Sequence, residues 1–395
     1  MEGYVFFNGT IVLEDKLLKN CYVAVSGGLI EEIHSLPIPE RYADHIHIDL
    51  KGDYLSPGFI DAHCHGGGDF DFMDGTPDSI ISAARAHIKH GTTSIAPTSV
   101  TSPDDDLFTF FDCYEQALSE KENMPNLIGI HIEGQVIAES EAGAQSPDFI
   151  KQPSTGYAKE VLLHAHGNIL RWSMAPEIPG ALEMADYLND HGVFLSIAHT
   201  AAMYPQILEA TRHGFHHMTH FYSSMTMLRR INAYRVLGAV EAGFLLDDMH
   251  IELIADGHHL PIELLKLILK CKDHDHISLI TDSMRGATMP DGQPSWLGGR
   301  KNGIEVILED GVAKLKDRSA FAGSIATTDR LVRTMVKGCG LSIVEAVRLL
   351  TLNPAKLYGF SEQLGKIKEG FQADLIVFDE NIEVSQVYVH GKRVK

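Results

Sequence analysis

Short apolar segments alternate with longer amphipathic segments along most of this 395-residue chain. Apolar runs of strand length separated by helical patterns are typical of parallel β-sheets, because helical crossovers cover both faces of such a sheet. The strand candidates are GFIDAHCH, TTSIAPT, LIGIHIEG, RWSMAPE, VFLSIAHT, HHMTHFY, HIELIADG and HISLITDS. Eight such units predict an α/β fold of the (β/α)8 TIM-barrel type. The alternative is a doubly wound open sheet, and the absence of GxGxxG after the first strand weakens its dinucleotide-binding version.

Both ends of the chain have a different pattern. Residues 1–54 contain short apolar and β-branched runs broken by Gly, Asn or Asp, and ADLIVFD and SQVYVHGKRV are strand candidates near the C-terminus. Chain termini often lie close together in space. We therefore predict a small β-sandwich domain formed by residues 1–54 and 355–395, beside a barrel domain of residues 55–354. After the eighth strand, KNGIEVILEDGVAKLKD predicts a β-hairpin.

The charge balance restricts the partners of the chain. There are 33 basic and 53 acidic residues, which give a formal net charge of −20. Nucleic acids and anionic membranes are polyanions, so neither is an expected partner. The chain begins without a signal-peptide pattern and has no run of eighteen apolar residues, so we expect a cytoplasmic protein without a membrane span. Five cysteines without a CxxC pair disfavour disulfides and zinc–thiolate sites.

Histidine and acidic residues stand at the ends of five predicted strands. They are His63, His65, Glu133, His199, His220 and Asp282. The C-terminal strand ends of a TIM barrel converge on one pocket, so this pattern predicts four imidazoles and two carboxylates in one place. Nitrogen and oxygen donors without thiolate are typical of catalytic sites for Zn²⁺, Fe²⁺ or Mn²⁺.

The His-x-His spacing has a geometric reason. Side chains two residues apart on a strand point to the same face, so His63 and His65 can bind one ion from one side. The spacing alone is weak evidence, because His45 and His47 show it too and we interpret them as an ordinary strand face. The specific signal is the order of the whole set along successive strand ends, which disfavours the alternative of scattered core histidines.

These motifs resemble those of the N-acetylglucosamine-6-phosphate deacetylases of the amidohydrolase superfamily, over nearly the whole chain. Matching stretches include PGFIDAHCHGGGDFDFMDG, GTTSIAPT, GIHIEG, MAPE, AHTAAMY, HHMTHFYSSM, ELIADGHH, TDSM, FAGS and EAVRLLTLNPAKLYG. The resemblance implies hydrolysis of N-acetylglucosamine-6-phosphate by water to glucosamine-6-phosphate and acetate. It also implies a small-molecule amino sugar phosphate as substrate and a homodimer that shares phosphate contacts.

The resemblance also implies a divalent metal cofactor. Glu133, His199 and His220 would hold one ion, and His63 and His65 would hold a second one beside it. Some relatives lack the His-x-His pair and use one ion, so its presence here leads us to expect two per chain, zinc or iron, with manganese as an alternative. No lysine lies in LIGIHIEG or RWSMAPE to form the bridging carbamate of many amidohydrolases, so Glu133 would bridge the two ions.

Asp282 is implied as the catalytic carboxylate, and we count it with the metal ligands. A bound metal lowers the pKa of water toward ~7. Asp282 would accept the proton of the attacking water and return it to the leaving amine. The alternative for Asp282 is a buried acid that caps the following helix, which the sequence TDS permits.

The match to the family is weaker among residues that would touch the substrate. The family has GAH where this chain has GAQ, so Gln145 would replace a histidine that polarises the acetyl carbonyl. Gln145 can donate an N–H but cannot be cationic. Ser223, Ser224 and Met225 stand where an asparagine before Ala-Met normally touches the sugar.

The phosphate-binding segment differs as well. The family's arginine lies in an R-E-P-G segment, which is LRRINAYRVLG here, so Arg229, Arg230 and Arg235 are candidates to replace it. Arginine suits phosphate because of its planar bidentate fork, although some of these arginines would simply be solvated. His259 matches the family's ADGxH histidine, which supports phosphate binding.

Two other functions remain open from the sequence. One is a different amidohydrolase activity, on a related N-acetylhexosamine, on an N-acyl amino acid or of the dihydroorotase kind, the last disfavoured by the missing carbamate lysine. The other is a metal-binding or sugar-sensing protein that has lost turnover through Gln145 and the altered arginine segment. The intact Asp282 disfavours this non-enzymatic alternative.

Overall fold

The computed structural model describes residues 3–120, 122–290 and 292–395. Each of the eight predicted strand segments contains an observed parallel strand. These strands are Phe59–Cys64 (β1), Thr92–Pro97 (β2), Ile130–Glu133 (β3), Ile169–Met174 (β4), Phe194–Ile197 (β5), His217–Met218 (β6), His250–Leu253 (β7) and Ile277–Leu279 (β8). The expected α/β fold with a parallel sheet is therefore confirmed.

The parallel strands follow one another in space in the order in which they occur along the chain. Strands β3 to β8 form one sheet, and β1, β2 and the short strand Asn126–Leu127 form another. Parallel bridges between Thr98 and His131 and between Cys64 and Ser283 connect the two sheets at both sides. A doubly wound sheet reverses its strand order, and this arrangement does not.

Helices connect the parallel strands, as the amphipathic segments predict. They are Pro77–Ile88 (α1), Asp104–Ala117 (α2), Thr155–Ala165 (α3), Ala181–Asp190 (α4), Tyr204–Thr211 (α5), Ala239–Leu245 (α6) and Ile262–Cys271 (α7). After β8 come Thr328–Arg333 (α8), a π-helical segment Thr334–Cys339, Ile343–Arg348 (α9) and Leu352–Leu357 (α10). Helix α1 illustrates the local logic, because Thr76 caps its first turn through Ser79 N at 3.2 Å and Pro77 occupies the first helical position.

Both ends of the chain form β-structure. One sheet has the order Leu29–Ser35, Cys21–Ser26, Tyr4–Phe7, Ile46–Asp49. A second sheet has the order Lys392–Arg393, Val384–Val389, Leu375–Phe378, Tyr54–Pro57, Thr10–Val12, Leu17–Leu18. The second sheet thus combines strands from both ends, and Phe6, Leu55, Leu375 and Tyr388 share one buried apolar cluster.

A smaller sheet follows β8. The predicted hairpin is confirmed as Ile304–Glu309 paired with Val312–Leu315, and Pro294–Leu297 adds a third antiparallel strand that the sequence did not predict. A separate two-stranded hairpin, Arg229–Ile231 with Tyr234–Val236, lies between β6 and α6. No helix in the described part of the chain is both long and apolar enough to cross a lipid bilayer.

His87 is a buried histidine on α1 whose titration should limit stability in acid. Its Nε2 donates to the carbonyl oxygen of Gly66 at 2.9 Å, and burial lowers its pKa to about 4. An unfolded histidine takes up a proton near pH 6.5, so the folded state loses stability as the pH falls from about 6.5 to 4. Over this range we expect the unfolding free energy of the metal-free protein to fall by about 3 kcal/mol more than that of His87→Asn. Urea titrations at several pH values measure this difference, and parallel curves for the two proteins would contradict it.

Candidate metal centre

The structure brings the six predicted strand-end residues together at the C-terminal ends of the parallel strands. His65, Glu133, His199, His220 and Asp282 line one cavity of about 200 Å³, and His63 lies directly behind it. All six side chains belong to buried residues. The spatial convergence that the strand pattern predicts is therefore present.

Glu133 lies at the centre of this cluster. Its Oε1 is 2.8 Å from His220 Nε2 and 3.4 Å from His199 Nε2, while its Oε2 is 3.2 Å from His65 Nε2. His63 Nε2 lies 3.6 Å from Oε1 as well, so this one carboxylate borders all four imidazoles. The groups Glu133–His199–His220 and His63–His65–Glu133 each have ligand atoms close enough to share one metal ion.

Asp282 borders the second group. Its Oδ1 lies 3.1 Å from His65 Nε2 and 3.4 Å from His63 Nε2. The backbone N–H of Asp282 donates to the carbonyl oxygen of His63 at 2.9 Å, which ties the end of β8 to β1. The carboxylate therefore faces both the imidazole pair and the cavity.

Three of these residues have a backbone conformation that is rare for side chains with a Cβ. The φ angles of His199, His220 and Asp282 are 45°, 33° and 49°, in the left-handed region. Such conformations cost energy and persist where the surrounding structure imposes them, often at functional sites. For His220 the left-handed turn also explains why β6 ends at Met218, earlier than the apolar pattern of HHMTHFY predicts.

The donor set fits a divalent transition metal. His199 donates Nδ1–H to the carbonyl oxygen of Glu141 at 2.8 Å, so Nε2 is the ring nitrogen that can bind a metal. That Nε2 is 3.3 Å from His220 Nε2, and the Nε2 atoms of His63 and His65 are 3.2 Å apart. Imidazole nitrogens facing each other around a buried carboxylate are the ligands that Zn²⁺, Fe²⁺ and Mn²⁺ accept.

The charges of the cluster reinforce one another. Burial disfavours the charged forms of His63 and His65, but the carboxylates of Glu133 and Asp282 outweigh burial and raise the pKa of His63 to about 9 and that of His65 to about 10. The histidines in turn hold the pKa of Glu133 well below its usual range and lower that of Asp282, although burial opposes both shifts. Without metal, the ionised carboxylates of Glu133 and Asp282 are therefore balanced by protonated His63 and His65, and a bound cation would replace these two protons.

A third group of potential ligands has another explanation. Asp61, Cys64 and His87 also lie close together and are buried. Asp61 accepts hydrogen bonds from Thr281 N at 3.1 Å and Thr281 Oγ1 at 2.6 Å, and His87 donates to the Gly66 carbonyl. These hydrogen bonds explain why the three side chains lie together, and we interpret them as part of the protein core and not as a metal site.

Gln145 contacts the cluster directly. Its Nε2 donates to Glu133 Oε2 at 2.9 Å, and its Oε1 accepts the backbone N–H of Thr101 at 2.7 Å. These two contacts fix which end of the amide faces the carboxylate. One further N–H of Gln145 remains for a ligand in the cavity, which it lines.

The other predicted substrate contacts divide into two sets. Ser223, Ser224 and His259 line the cavity, and the Nδ1 of His259 lies 2.8 Å from Asp256 Oδ2, which leaves its Nε2 available. Met225 is buried and is not among the described residues that line the cavity. The structure thus places two of the three residues of the Ser-Ser-Met segment at the site.

The candidate phosphate-binding arginines lie outside the cavity. Arg229, Arg230 and Arg235 are on the two strands of the exposed hairpin, which pair only with each other among the described strands. None of the three is among the described residues that line the cavity. In this single chain the cavity therefore has no arginine from that segment.

Sequence reasoning missed two features of the site. Phe321 lines the cavity from the loop after the small sheet, and 39% of its surface is exposed. Arg171 and Glu252 form a fully buried ion pair beneath the imidazoles. A charged residue inside an apolar strand, as in RWSMAPE and HIELIADG, was the available signal for this pair.

Comparisons with known proteins agree with this geometry. Residues 54–394 match the model of the amidohydrolase family. The chain is similar to the N-acetylglucosamine-6-phosphate deacetylase of Lysinibacillus sphaericus, with 32% identity over 89% of this chain and 90% of the relative. It is also similar to the N-acetylgalactosamine-6-phosphate deacetylase of Escherichia coli O157:H7, with 28% identity over 97% of each. A variant of the N-acetyl-D-glucosamine-6-phosphate deacetylase of Mycobacterium smegmatis, solved with N-acetyl-D-glucosamine-6-phosphate, superposes with a TM-score of 0.90 at 27% identity over 100% of both chains.

Proposed function

Because this chain belongs to the amidohydrolase family, and within it to the N-acetylglucosamine-6-phosphate deacetylases, we propose that it hydrolyses the acetamide of an N-acetylated amino sugar phosphate. The products are acetate and the free amino sugar phosphate. The observation that carries the proposal is the convergence of four imidazoles and two carboxylates on one cavity at the strand ends.

The proposed metal ligands form two groups that share one carboxylate. Glu133, His199 and His220 would hold one ion, and His63, His65 and Glu133 would hold the other, with Asp282 beside them. Zinc and iron are the metals we expect, with manganese as an alternative. When bound, such a cation supplies a Lewis acid that makes hydroxide available near neutral pH and polarises an amide carbonyl.

Asp282 is the proposed proton carrier. Its carboxylate faces the cavity, and its Oδ1 lies 3.4 Å from His63 Nε2 and 3.1 Å from His65 Nε2. It accepts a proton from the attacking water at a carboxylate oxygen and gives it to the nitrogen of the leaving amine. Protonation of that nitrogen is necessary because an unprotonated amine leaves poorly.

The proposed substrate contacts come from the cavity wall. Ser223, Ser224, Gln145 and the Nε2 of His259 offer hydrogen bonds to the sugar, the acetyl carbonyl and the phosphate. We propose that Arg230 and Arg235 bind the phosphate in the cavity of a second copy in a homodimer. Their hairpin is exposed, so it can contact a neighbouring molecule.

A substrate panel tests the proposed function. Acetate release is measured for metal-loaded protein with N-acetylglucosamine-6-phosphate, N-acetylgalactosamine-6-phosphate, unphosphorylated N-acetylglucosamine and several N-acyl amino acids. We expect turnover of at least one hexosamine phosphate, well above that of the unphosphorylated sugar. Turnover of N-acyl amino acids alone would support the alternative amidohydrolase activity, and no turnover of any compound would support the non-enzymatic alternative.

Phe321 should contribute to substrate binding rather than to chemistry. Its ring is 4.6 Å from the ring of His259 and forms an apolar wall of the cavity. We expect Phe321→Ala to raise KM by roughly 10-fold, the value of one well-placed apolar group, with little change in kcat. Phe321→Leu is the matched control and should retain most of the affinity. Steady-state kinetics measures both constants, and a fall in kcat at unchanged KM would contradict this role.

The finer features of the architecture are part of the proposal. The bridges that join the two parallel sheets at both sides support a closed (β/α)8 barrel for residues 55–354. The sheet that combines both chain ends supports a β-sandwich domain of residues 1–54 and 355–395. We propose a homodimer on the basis of the family resemblance, and we propose that the protein is cytoplasmic.

A further inference from the structure

A layer of polar side chains lies between the parallel strands beneath the candidate metal centre. Seven buried residues from five strand segments contribute to it, namely His131, Arg171, Ser173, Ser196, His217, Thr219 and Glu252. We call these seven residues the polar ring. Buried polar groups are costly unless they are hydrogen-bonded, so most of these side chains should bond to one another. Groups that can only donate or only accept then determine which atom is the donor in each bond.

The direction of the first bonds follows from Arg171, which can only donate. Its Nη2 lies 2.8 Å from His131 Nδ1, so that nitrogen accepts. A ring nitrogen that accepts a hydrogen bond carries no proton, so Nδ1 of His131 is unprotonated. The proton of His131 is therefore on Nε2, which donates to Ser173 Oγ at 2.7 Å.

The hydroxyl groups carry the same direction onward. Ser173 Oγ lies 2.7 Å from Thr219 Oγ1, and Thr219 Oγ1 lies 2.5 Å from Ser196 Oγ. Ser196 Oγ in turn lies 2.6 Å from His217 Nδ1. Each hydroxyl accepts from one neighbour and donates to the next, so His217 Nδ1 accepts. The proton of His217 is then on Nε2, which faces Glu252 Oε1 at 3.6 Å.

His217 Nε2 has no hydrogen-bond partner among the described residues, so the series of hydrogen bonds stops there and Glu252 completes the ring only as a neighbouring charge. Its Oε1 is paired with Arg171 Nη1, where the ring began, and with the hydroxyl of Tyr358 at 3.4 Å. Its other oxygen, Oε2, has no hydrogen-bond partner among the described residues and lies 3.7 Å from His63 Nδ1. His63 Nδ1 also lacks a partner among the residues that the structure describes. One oxygen of a fixed carboxylate thus faces the outer nitrogen of a candidate metal ligand.

We propose that Glu252, held by the polar ring, is a positioning residue for His63. Its Oε2 accepts the Nδ1–H of His63, which leaves the Nε2 lone pair directed at the cavity, where Glu133 and Asp282 lie within 3.6 Å. Outer carboxylates of this kind orient metal-binding histidines and make them more basic. This inference rests on the proposed metal centre and predicts that Glu252 supports the ion at His63 and His65 more than the ion at His199 and His220.

The competing explanation is that Glu252 only neutralises Arg171. Removing one partner alone would leave a buried charge, so the test uses two charge-balanced double variants. Arg171→Met with Glu252→Gln retains an acceptor for His63, whereas Arg171→Met with Glu252→Leu removes it. The matched control is Ser278→Ala, which removes a buried hydroxyl bonded to His250 Nε2 at 2.8 Å outside the ring.

Chelator competition with elemental analysis measures the affinity for each of the two ions, and thermal melting of the metal-free proteins measures folding. We expect the leucine variant to lose one ion at roughly 10–100-fold lower chelator concentration, the usual cost of removing an outer partner. The other ion should keep its affinity in every variant, and Ser278→Ala should keep both affinities. The glutamine variant lacks Arg171 but retains the acceptor for His63, so it should lose clearly less affinity for the first ion than the leucine variant does. Two results would overturn the inference. One is that the leucine and glutamine variants have equal affinities for the metal ions, and the other is that the leucine variant loses affinity equally for both ions.

A second variant covers the case in which the leucine variant does not fold. Thr219→Val preserves the shape of the side chain but interrupts the ring at its middle hydroxyl. It should weaken the same single ion, and unchanged affinities for both ions would overturn the inference. If the wild-type protein binds no ion, the proposed metal centre is wrong as a whole. If the wild type binds two ions and the variants show no selective loss of one of them, only the role of Glu252 is wrong.

Discussion

Replacing Asp282 with asparagine is expected to lower kcat/KM for acetate release by at least ~100-fold while the protein retains its metal. An asparagine side chain cannot take a proton from water, yet its amide oxygen would remain near His63 and His65, whose Nε2 atoms lie 3.4 Å and 3.1 Å from the present carboxylate. The loss should therefore appear in catalysis and not in folding. Steady-state assays together with elemental analysis measure the two effects separately.

Asp61 provides the matched control for this substitution. It is a buried aspartate on the neighbouring strand β1, but its hydrogen bonds go to Thr281 and it does not line the cavity. Asp61→Asn should therefore reduce kcat/KM far less than Asp282→Asn does. Near-normal activity of Asp282→Asn, or an equal loss in both variants, would remove Asp282 from the proton transfer.

Replacing Glu133 with glutamine is expected to release metal from both groups of ligands. Glu133 is the one carboxylate that both groups share, with one oxygen 2.8 Å from His220 and the other 3.2 Å from His65. The substitution removes the negative charge that both ions share and replaces one of the two ligand oxygens by an NH2 group, so affinity should fall by more than the ~10–100-fold cost of losing an outer partner. Acetate release should fall with metal content.

Glu141 offers a control close to the same site. Its backbone carbonyl accepts the Nδ1–H of His199, and this contact does not involve the side chain. Glu141→Gln removes a negative charge nearby and should leave both metal content and activity unchanged. If Glu133→Gln kept both ions at wild-type affinity, the shared carboxylate would not be a ligand.

The positions of the metal-binding candidates could be predicted because they depend on a simple rule. Parallel strands with helical crossovers bring their C-terminal ends together, so His63, Glu133 and His199 had to converge once the strands were identified. The two-residue period of a strand further predicted that His63 and His65 share a face. These inferences needed only local patterns and the topology.

The remainder of the site depends on contacts that local patterns do not encode. Phe321 follows Glu133 by nearly two hundred residues, and only the folded chain shows that both border one cavity. The arginines of LRRINAYRVLG form an exposed hairpin, since their short strands pair with each other and not with the parallel sheets. Such contacts depend on where loops and hairpins lie in the folded chain, which the order of the strands does not determine.

The polar ring shows a different limit of sequence reasoning. His131 and Arg171 lie inside apolar strands, where a charged or polar residue is usually excluded unless it is paired. The sequence reveals that such residues are present, but their partners come from other strands. His131 bonds to residues of β4, and Glu252 of β7 pairs with Arg171 of the same strand β4.

We expect divalent ions held at this cavity to be required for deacetylation, and a metal titration tests this requirement most directly. Chelator-treated protein is titrated with Zn²⁺, and acetate release from N-acetylglucosamine-6-phosphate and N-acetylgalactosamine-6-phosphate is followed. We predict negligible release without metal and a rise that saturates near two ions per chain, the number of ligand groups that share Glu133. Full acetate release by the metal-free protein, or none at any zinc level, would contradict this requirement.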